Sequence, residues 1–222
     1  MKLNKGYFII GTDTDIGKTY ISSLLFKSLF FLNPGYYKPI QTGCYMEDGN
    51  FIALDPKSLC DFNDIKYDKN MSTYLFENPV SPHLASEKEN INIDPAIIKD
   101  SFENISKDHP TTIVEAAGGL YVPIIRNSFY MYDLINLLAL PVILVCSSKV
   151  GSINHTMLTI ALLKDKNIPI QGLIFNNYTD EFYEKDNVRV ILEASKITNY
   201  LLISPNQNII EKEKIMEFLG GF

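Results

Sequence analysis

The segment Gly11-Thr12-Asp13-Thr14-Asp15-Ile16-Gly17-Lys18-Thr19 has the residue types and spacing to hold phosphate. It lies between a short apolar run, Tyr7–Ile10, and a helix-period pattern that begins at Lys18. In that position the backbone N–H groups of a loop and of a helix N-terminus converge on one anion. Gly17 allows close backbone approach, Lys18 reaches the terminal phosphates, and the Thr19 hydroxyl can ligate Mg2+. Asp15, Ile16, Gly17, Lys18, Thr19 and Tyr20 are therefore expected to contact a nucleotide. The loop departs from the strict G-x-x-x-x-G-K-[ST] pattern, because Thr12 stands where the first glycine would be and Gly11 comes one residue early.

A phosphate loop of this kind needs an acidic residue on a neighbouring buried strand. Thr111-Thr112-Ile113-Val114-Glu115 supplies one, and Ala116-Ala117-Gly118-Gly119 follows it. Glu115 is expected to hold Mg2+, with Gly118 leaving room for a γ-phosphate. The alternative is a solvated strand-end carboxylate. Lys38, before Pro39 at the end of a second strand, falls on the same rim as Lys18 if the sheet is parallel. A second lysine there would stabilise an anionic substrate or charge developing in phosphoryl transfer. Its alternative is a surface lysine.

The elements that must place these residues read as a βαβ rhythm. Continuous apolar runs at Tyr7–Ile10, Thr111–Glu115, Val142–Cys146 and Leu173–Phe175 fit strands buried on both faces. Tyr36–Lys38 adds another short strand. Helical patterns cover Lys18–Leu32, Asp94–Ser106, Ser152–Lys164, Val188–Thr198 and Glu211–Leu219. This predicts an α/β fold, a doubly wound and mainly parallel sheet flanked by helices, of the P-loop NTPase type. The stretch from Thr42 to Asn90 is polar and weakly periodic and reads as loops and short helices at the sheet's rim. One domain over residues 1–222 is expected.

Composition narrows the classes further. The 222 residues carry 20 Lys and Arg against 26 Asp and Glu, and the net charge of −6 argues against a nucleic-acid or basic membrane-surface binder. Cys44, Cys60 and Cys146 have no metal-ligand spacing and read as free thiols of a reducing compartment. Met1 to Ile10 lacks the apolar length of a signal peptide. The apolar stretch Leu134–Cys146 is too short to span a bilayer and reads as a helix end feeding a buried strand. A cytoplasmic protein is expected.

The ordered set of motifs resembles the dethiobiotin synthetase family. Gly11–Thr19 is similar to that family's variant phosphate loop, including the threonine at position 12. Lys38-Pro39 with Thr42-Gly43, Asn78-Pro79-Val80-Ser81-Pro82-His83, Val114–Gly119 and Lys149-Val150-Gly151-Ser152-Ile153-Asn154-His155 match in the same order. The resemblance runs from Tyr7 to about Asn177, about three quarters of the chain. It implies a reaction of 7,8-diaminopelargonate with CO2 and MgATP that gives dethiobiotin, ADP and phosphate through a carbamate and a carbamic-phosphate intermediate. Carried over residue by residue, it implies Lys38 and Lys18 as catalytic lysines and Thr19, Glu115 and Asp55 as Mg2+ ligands, with Asp48 as the alternative to Asp55. Thr42 would contact the diamine, Gly151 and Asn154 the substrate carboxylate across a homodimer interface, and Asn176 the adenine.

The C-terminal quarter departs from that pattern. Leu201-Leu202-Ile203-Ser204-Pro205 lacks the Gly-x-[Ile/Val]-Pro turn that closes over the base in the family. Weaker discrimination between ATP and other nucleoside triphosphates than a typical family member shows is expected. Two related activities fit less well. A partition-type ATPase switch would carry a second lysine early in the loop, where this chain has Asp13 and Asp15. An amide-forming corrinoid synthetase would need a fused glutamine-hydrolysing domain, for which 222 residues leave no room.

Overall fold

The computed structural model describes residues 5–220. The ends of the domain expected over 1–222, and Met1–Asn4 ahead of the first strand, lie outside the described residues. Seven parallel strands form one sheet: β1 (Gly6–Gly11), β2 (Gly35–Thr42), β5 (Ser72–Phe76), β6 (Thr112–Gly119), β9 (Val142–Cys146), β10 (Ile170–Asn176) and β11 (Tyr200–Ile203). Their order across the sheet is β11-β10-β9-β1-β6-β2-β5. Two antiparallel hairpins lie outside it, β3 (Tyr45–Glu47) with β4 (Asn50–Ile52) and β7 (Pro123–Ile125) with β8 (Phe129–Tyr130). No helix among the described residues is long and apolar enough to cross a membrane.

Helices cover both faces. On one face α1 (Lys18–Ser28), α2 (Leu54–Asn63) and α8 (Lys212–Phe218) pack Leu24, Leu59 and Phe218 against Ile9, Ile113 and Ile174. On the other, α3 (Pro82–Glu89), α4 (Pro95–Ile105), α5 (Met131–Leu138), α6 (Ser152–Asp165) and α7 (Phe182–Ser195) cover Phe8, Val114, Leu144 and Phe175. β1 and β9 are buried at every position, which is why their sequences run apolar without alternation.

Several boundaries differ from the sequence expectation, each for a local reason. β2 continues through Pro39 to Thr42, so Lys38 is mid-strand rather than at a strand end. β2 pairs with β6 through Tyr37 and with β5 from Lys38, so the missing Pro39 N–H falls where the strand exchanges partners. The polar stretch after Thr42 contributes β5 to the main sheet as an edge strand, and its half-buried Ser-Thr-Tyr-Leu-Phe carried too weak a signal. The first helix stops at Ser28 and gives way to a short 3-10 turn, Phe30–Leu32. α7 starts six residues early, at Phe182, because Glu181 and Glu184 form a capping box. Glu184 is fully buried there and accepts hydrogen bonds from Ser148 Oγ (2.7 Å), Thr179 N (2.8 Å) and Thr179 Oγ1 (2.7 Å). Residues 178–185, which are rich in acidic and aromatic side chains, thus form a folded joint between β10, α7 and the loop before α6.

Candidate active site

The phosphate loop sits at the C-terminal end of β1, where the sheet's central strand meets α1. Gly17 is the N-cap of α1 with φ of 94°, the left-handed region that glycine adopts without strain. A Cβ on Gly17 would also lie 2.2 Å from Asn176 Nδ2. Gly11 is equally restricted: a Cβ there would lie 2.5 Å from Ile16 Cγ2 and 2.8 Å from Asp13 O. Thr12 meets no such demand and donates its N–H to Val145 O at 3.1 Å, which explains why the early glycine and the threonine at position 12 work together. Asn176, at the end of β10, donates Nδ2 to Ile16 O at 2.9 Å and pins the loop from below, while its Oδ1 is buried without a hydrogen-bond partner.

A cavity of about 750 Å³ opens beside this loop. Asp15, Gly17, Lys18, Thr19, Lys38, Thr42, Asp55, Glu115 and Gly118 all line it, together with Pro79–Pro82. Alternation along the strands accounts for the convergence. Tyr36 and Lys38 on β2, and Ile113 and Glu115 on β6, project toward the face that α1 and α2 cover, so mid-strand side chains reach the start of α1.

Glu115 is fully buried at the centre. Its Oε1 accepts from Thr19 Oγ1 at 2.8 Å and from Lys38 Nζ at 3.0 Å, and its Oε2 accepts from Tyr36 OH at 3.0 Å. Lys38, 3% exposed, also pairs with Asp55 Oδ2 at 2.6 Å and donates to Ala116 O at 2.8 Å. An ammonium has three N–H donors, and all three are engaged. Lys18 donates Nζ to Asp13 O at 3.0 Å, folded back over its own loop.

These contacts set the charges. Burial alone would lower the Lys38 pKa, but Glu115 and Asp55 outweigh it and hold the ammonium above its ordinary value. Burial, with the nearby Lys38 charge, pulls Lys18 below its ordinary value. Burial works against ionised Asp55, yet Lys38 and the Thr19 hydroxyl keep its carboxyl below the usual carboxylate range. Burial and the Glu115 charge push the Tyr36 hydroxyl well above its ordinary value, so it remains a donor. The Asp55 shift has a sign that can be measured. A carboxyl with a depressed folded pKa contributes stability above its unfolded value of 3.8 that is lost as pH falls through the folded value. The thermal midpoint of Asp55→Asn is therefore expected to fall below that of the parent at neutral pH, with the gap narrowing below about pH 5. Melting curves across that range check it, and a gap independent of pH would contradict it.

Other expected residues lie elsewhere. Asp48 sits on the exposed turn between β3 and β4, outside the cavity; of the two candidate aspartates only Asp55 reaches it. Tyr20 turns away, donating its hydroxyl to Gln207 O and packing edge-on against Phe62. Gly151 and Asn154 are exposed at the start of α6 and do not line the cavity. Two residues of the site carried no sequence signal, Tyr36 and Gln41. Gln41 lines the cavity and accepts the Asp55 N–H at 3.2 Å, fixing the first turn of α2.

The donor set suits Mg2+. One hydroxyl and two carboxylates are hard oxygen ligands, and a Mg2+ ion that shares its shell with water and substrate phosphates needs only one or two carboxylates. Among the described residues no group of three or more His, Cys, Asp or Glu side chains comes together, as a cage for a softer metal would require.

The chain is similar to known proteins over nearly its whole length. A family model described as an AAA domain matches residues 5–214. The ATP-dependent dethiobiotin synthetase BioD of Fusobacterium nucleatum is 52% identical over 216 residues, covering 97% of this chain and 99% of that protein. Those of Clostridium perfringens and Halalkalibacterium halodurans are each 35% identical, covering 97% and 99% of this chain and 96% and 93% of their own lengths. Among solved structures, a ParA family ATPase from Chlorobium tepidum aligns with a TM-score of 0.59 at 12% identity, over 97% of this chain and 91% of the other. That likeness is one of fold alone: a parallel sheet, flanked by helices, of the P-loop NTPase type. The identity and coverage of the synthetases, on a chain whose phosphate loop, lysines and carboxylates converge as described, place it in the ATP-dependent dethiobiotin synthetase family.

Proposed function

We infer that this chain is an ATP-dependent dethiobiotin synthetase, a ligase that forms C–N bonds by closing a ureido ring on 7,8-diaminopelargonate with CO2. The observation that carries this reading is Lys38, a buried ammonium held beside the phosphate loop by two carboxylates. Two anions must meet in such a reaction, a carbamate and a triphosphate. One substrate amine takes up CO2 and loses a proton to give the carbamate. A carbamate oxygen then attacks the γ-phosphorus as ADP leaves, and the second amine displaces phosphate from the mixed anhydride to close the ring.

The chain's own groups offset the repulsion between those anions. The loop N–H groups, the N-terminus of α1 and Lys18 would bind the phosphates, with Asp15 to Thr19 following the nucleotide, Gly118 beside the γ-phosphate and Asn176 at the base. Lys38 would face the carbamate and Thr42 the diamine. Thr19, Asp55 and Glu115 would hold Mg2+, which when bound neutralises charge on the transferring phosphoryl group. The carboxylates cannot serve Lys38 and a cation with the same lone pairs. Holding the cation and presenting Lys38 to the carbamate therefore go together.

The exposed start of α6, with Gly151, Asn154 and the apolar Val150 (91% exposed) and Leu158 (63%), supports a homodimer in which the substrate's carboxylate tail reaches a second copy. One domain spanning the chain and a cytoplasmic setting, suited to three buried free thiols, complete the proposal.

Two measurements test it. Incubation with diaminopelargonate, 13C-bicarbonate, Mg2+ and ATP is expected to place the label in the ureido carbonyl of dethiobiotin; unlabelled or absent product would overturn the assignment. Because Leu201–Pro205 lacks the family's base-closing turn, initial rates with GTP and CTP are expected to approach that with ATP more closely than in a typical family member. A strong preference for ATP would contradict this.

A further inference from the structure

Glu115 takes hydrogen bonds on both carboxylate oxygens, and the donors differ in what else they must do. Thr19 Oγ1 and Lys38 Nζ both converge on Oε1, at 2.8 and 3.0 Å. Under the proposed function each has a second duty, Thr19 toward the cation and Lys38 toward the carbamate. Oε2 takes the hydroxyl of Tyr36 at 3.0 Å. Tyr36 is 3% exposed and is not among the residues lining the cavity, so its hydroxyl has no substrate to serve.

We propose that Tyr36 is a positioning residue of the cation site, whose hydroxyl fixes the Glu115 carboxylate while Thr19 and Lys38 turn to their own ligands. The inference rests on the reading of Thr19 and Glu115 as cation ligands. The fold makes Tyr36 a rigid anchor. It stands on β2 opposite Ile113 of the adjoining β6, two residues before Glu115 and on the same face. Its ring is packed in the apolar cluster that contains Ile113, Ile9 and Leu59. Carboxylates that bind metals are themselves held by hydrogen bonds from outside the ligand set, and loss of such a partner costs metal affinity or activity.

Tyr36→Phe removes only the hydroxyl. Free Mn2+ is followed by electron paramagnetic resonance in titrations of the full chain with the non-hydrolysable ATP analogue AMPPNP. The variant is expected to bind Mn2+ about 10- to 100-fold more weakly than the parent, with metal-free AMPPNP affinity unchanged. Equal Mn2+ affinities would overturn the proposal. Should the variant fail to fold, 3-fluorotyrosine at position 36 of the otherwise unchanged chain reads the same contact. Its 19F resonance is expected to move when Mg2+ joins AMPPNP, and a resonance indifferent to Mg2+ would overturn the proposal. Dethiobiotin formation by the parent is measured alongside. A parent that forms product while both proteins bind Mn2+ equally sinks the role of Tyr36 alone. A parent that forms none while Tyr36→Phe still weakens Mn2+ supports Tyr36 and sinks only the synthetase reading.

Discussion

Replacing Lys38 with alanine is expected to lower dethiobiotin turnover by about 100- to 1,000-fold, the cost of removing one preorganised donor from a site where anionic charge develops. The proposed nucleotide contacts lie on the phosphate loop and Lys18, so AMPPNP binding should survive. The split matters because Lys38 and Lys18 share a cavity but differ in setting. Lys18 leans on its own loop through Asp13 O, whereas Lys38 is tied to Asp55, Glu115 and Ala116 across two other elements. Isothermal titration with AMPPNP beside steady-state rates reads both sides. Unchanged turnover would remove Lys38 from the chemistry, and loss of both activities would show that it holds the loop instead.

Glu115→Ala should have the largest effect on stability. It strips a fully buried carboxylate from three donors at once and leaves Tyr36 and Lys38 facing an apolar gap. Breaking a buried pair from one side costs about 3–5 kcal/mol, since the remaining charge stays buried with less compensation. For a chain of this size that corresponds to a fall of roughly 10 °C in thermal midpoint. Turnover should vanish at every Mg2+ concentration. Glu115→Gln separates the two effects: its one carbonyl oxygen keeps an acceptor either for Thr19 or for Tyr36 while the charge is lost, so it should melt above the alanine variant and remain inactive. An active glutamine variant would contradict the cation role.

Much of this arrangement was legible in the sequence, and the reasons are local. The phosphate loop is contiguous and lies between a strand and a helix, so the placement of Gly17, Lys18 and Thr19 beside the cavity follows from spacing. β9 was legible to the residue, because a strand buried on both faces leaves a continuous apolar run with sharp ends. β5 was not, because an edge strand is half-buried and its Ser-Thr start resembles a loop. Lys38 and Glu115 were found as residues but misplaced as strand ends. Each reaches the loop from mid-strand through alternation across β2 and β6. Tyr36 and Gln41 were invisible for a different reason. A tyrosine in an apolar strand and a glutamine before a threonine acquire meaning only when Glu115 and Asp55 come within hydrogen-bond reach from about 80 and 14 residues away in the chain. The net charge of −6 is not at odds with binding triphosphate, because the field that a triphosphate would meet is local, set by Lys18, Lys38 and the helix N-terminus beside the cavity.

The central claim is that this phosphate loop spends ATP on a diamine. ADP release is measured with Mg2+, ATP and bicarbonate, first without and then with diaminopelargonate, while dethiobiotin is quantified in the same samples. The account predicts slow release without the diamine, a steep rise on its addition, and one dethiobiotin formed per ADP. ADP release at the same rate with and without the diamine would contradict it.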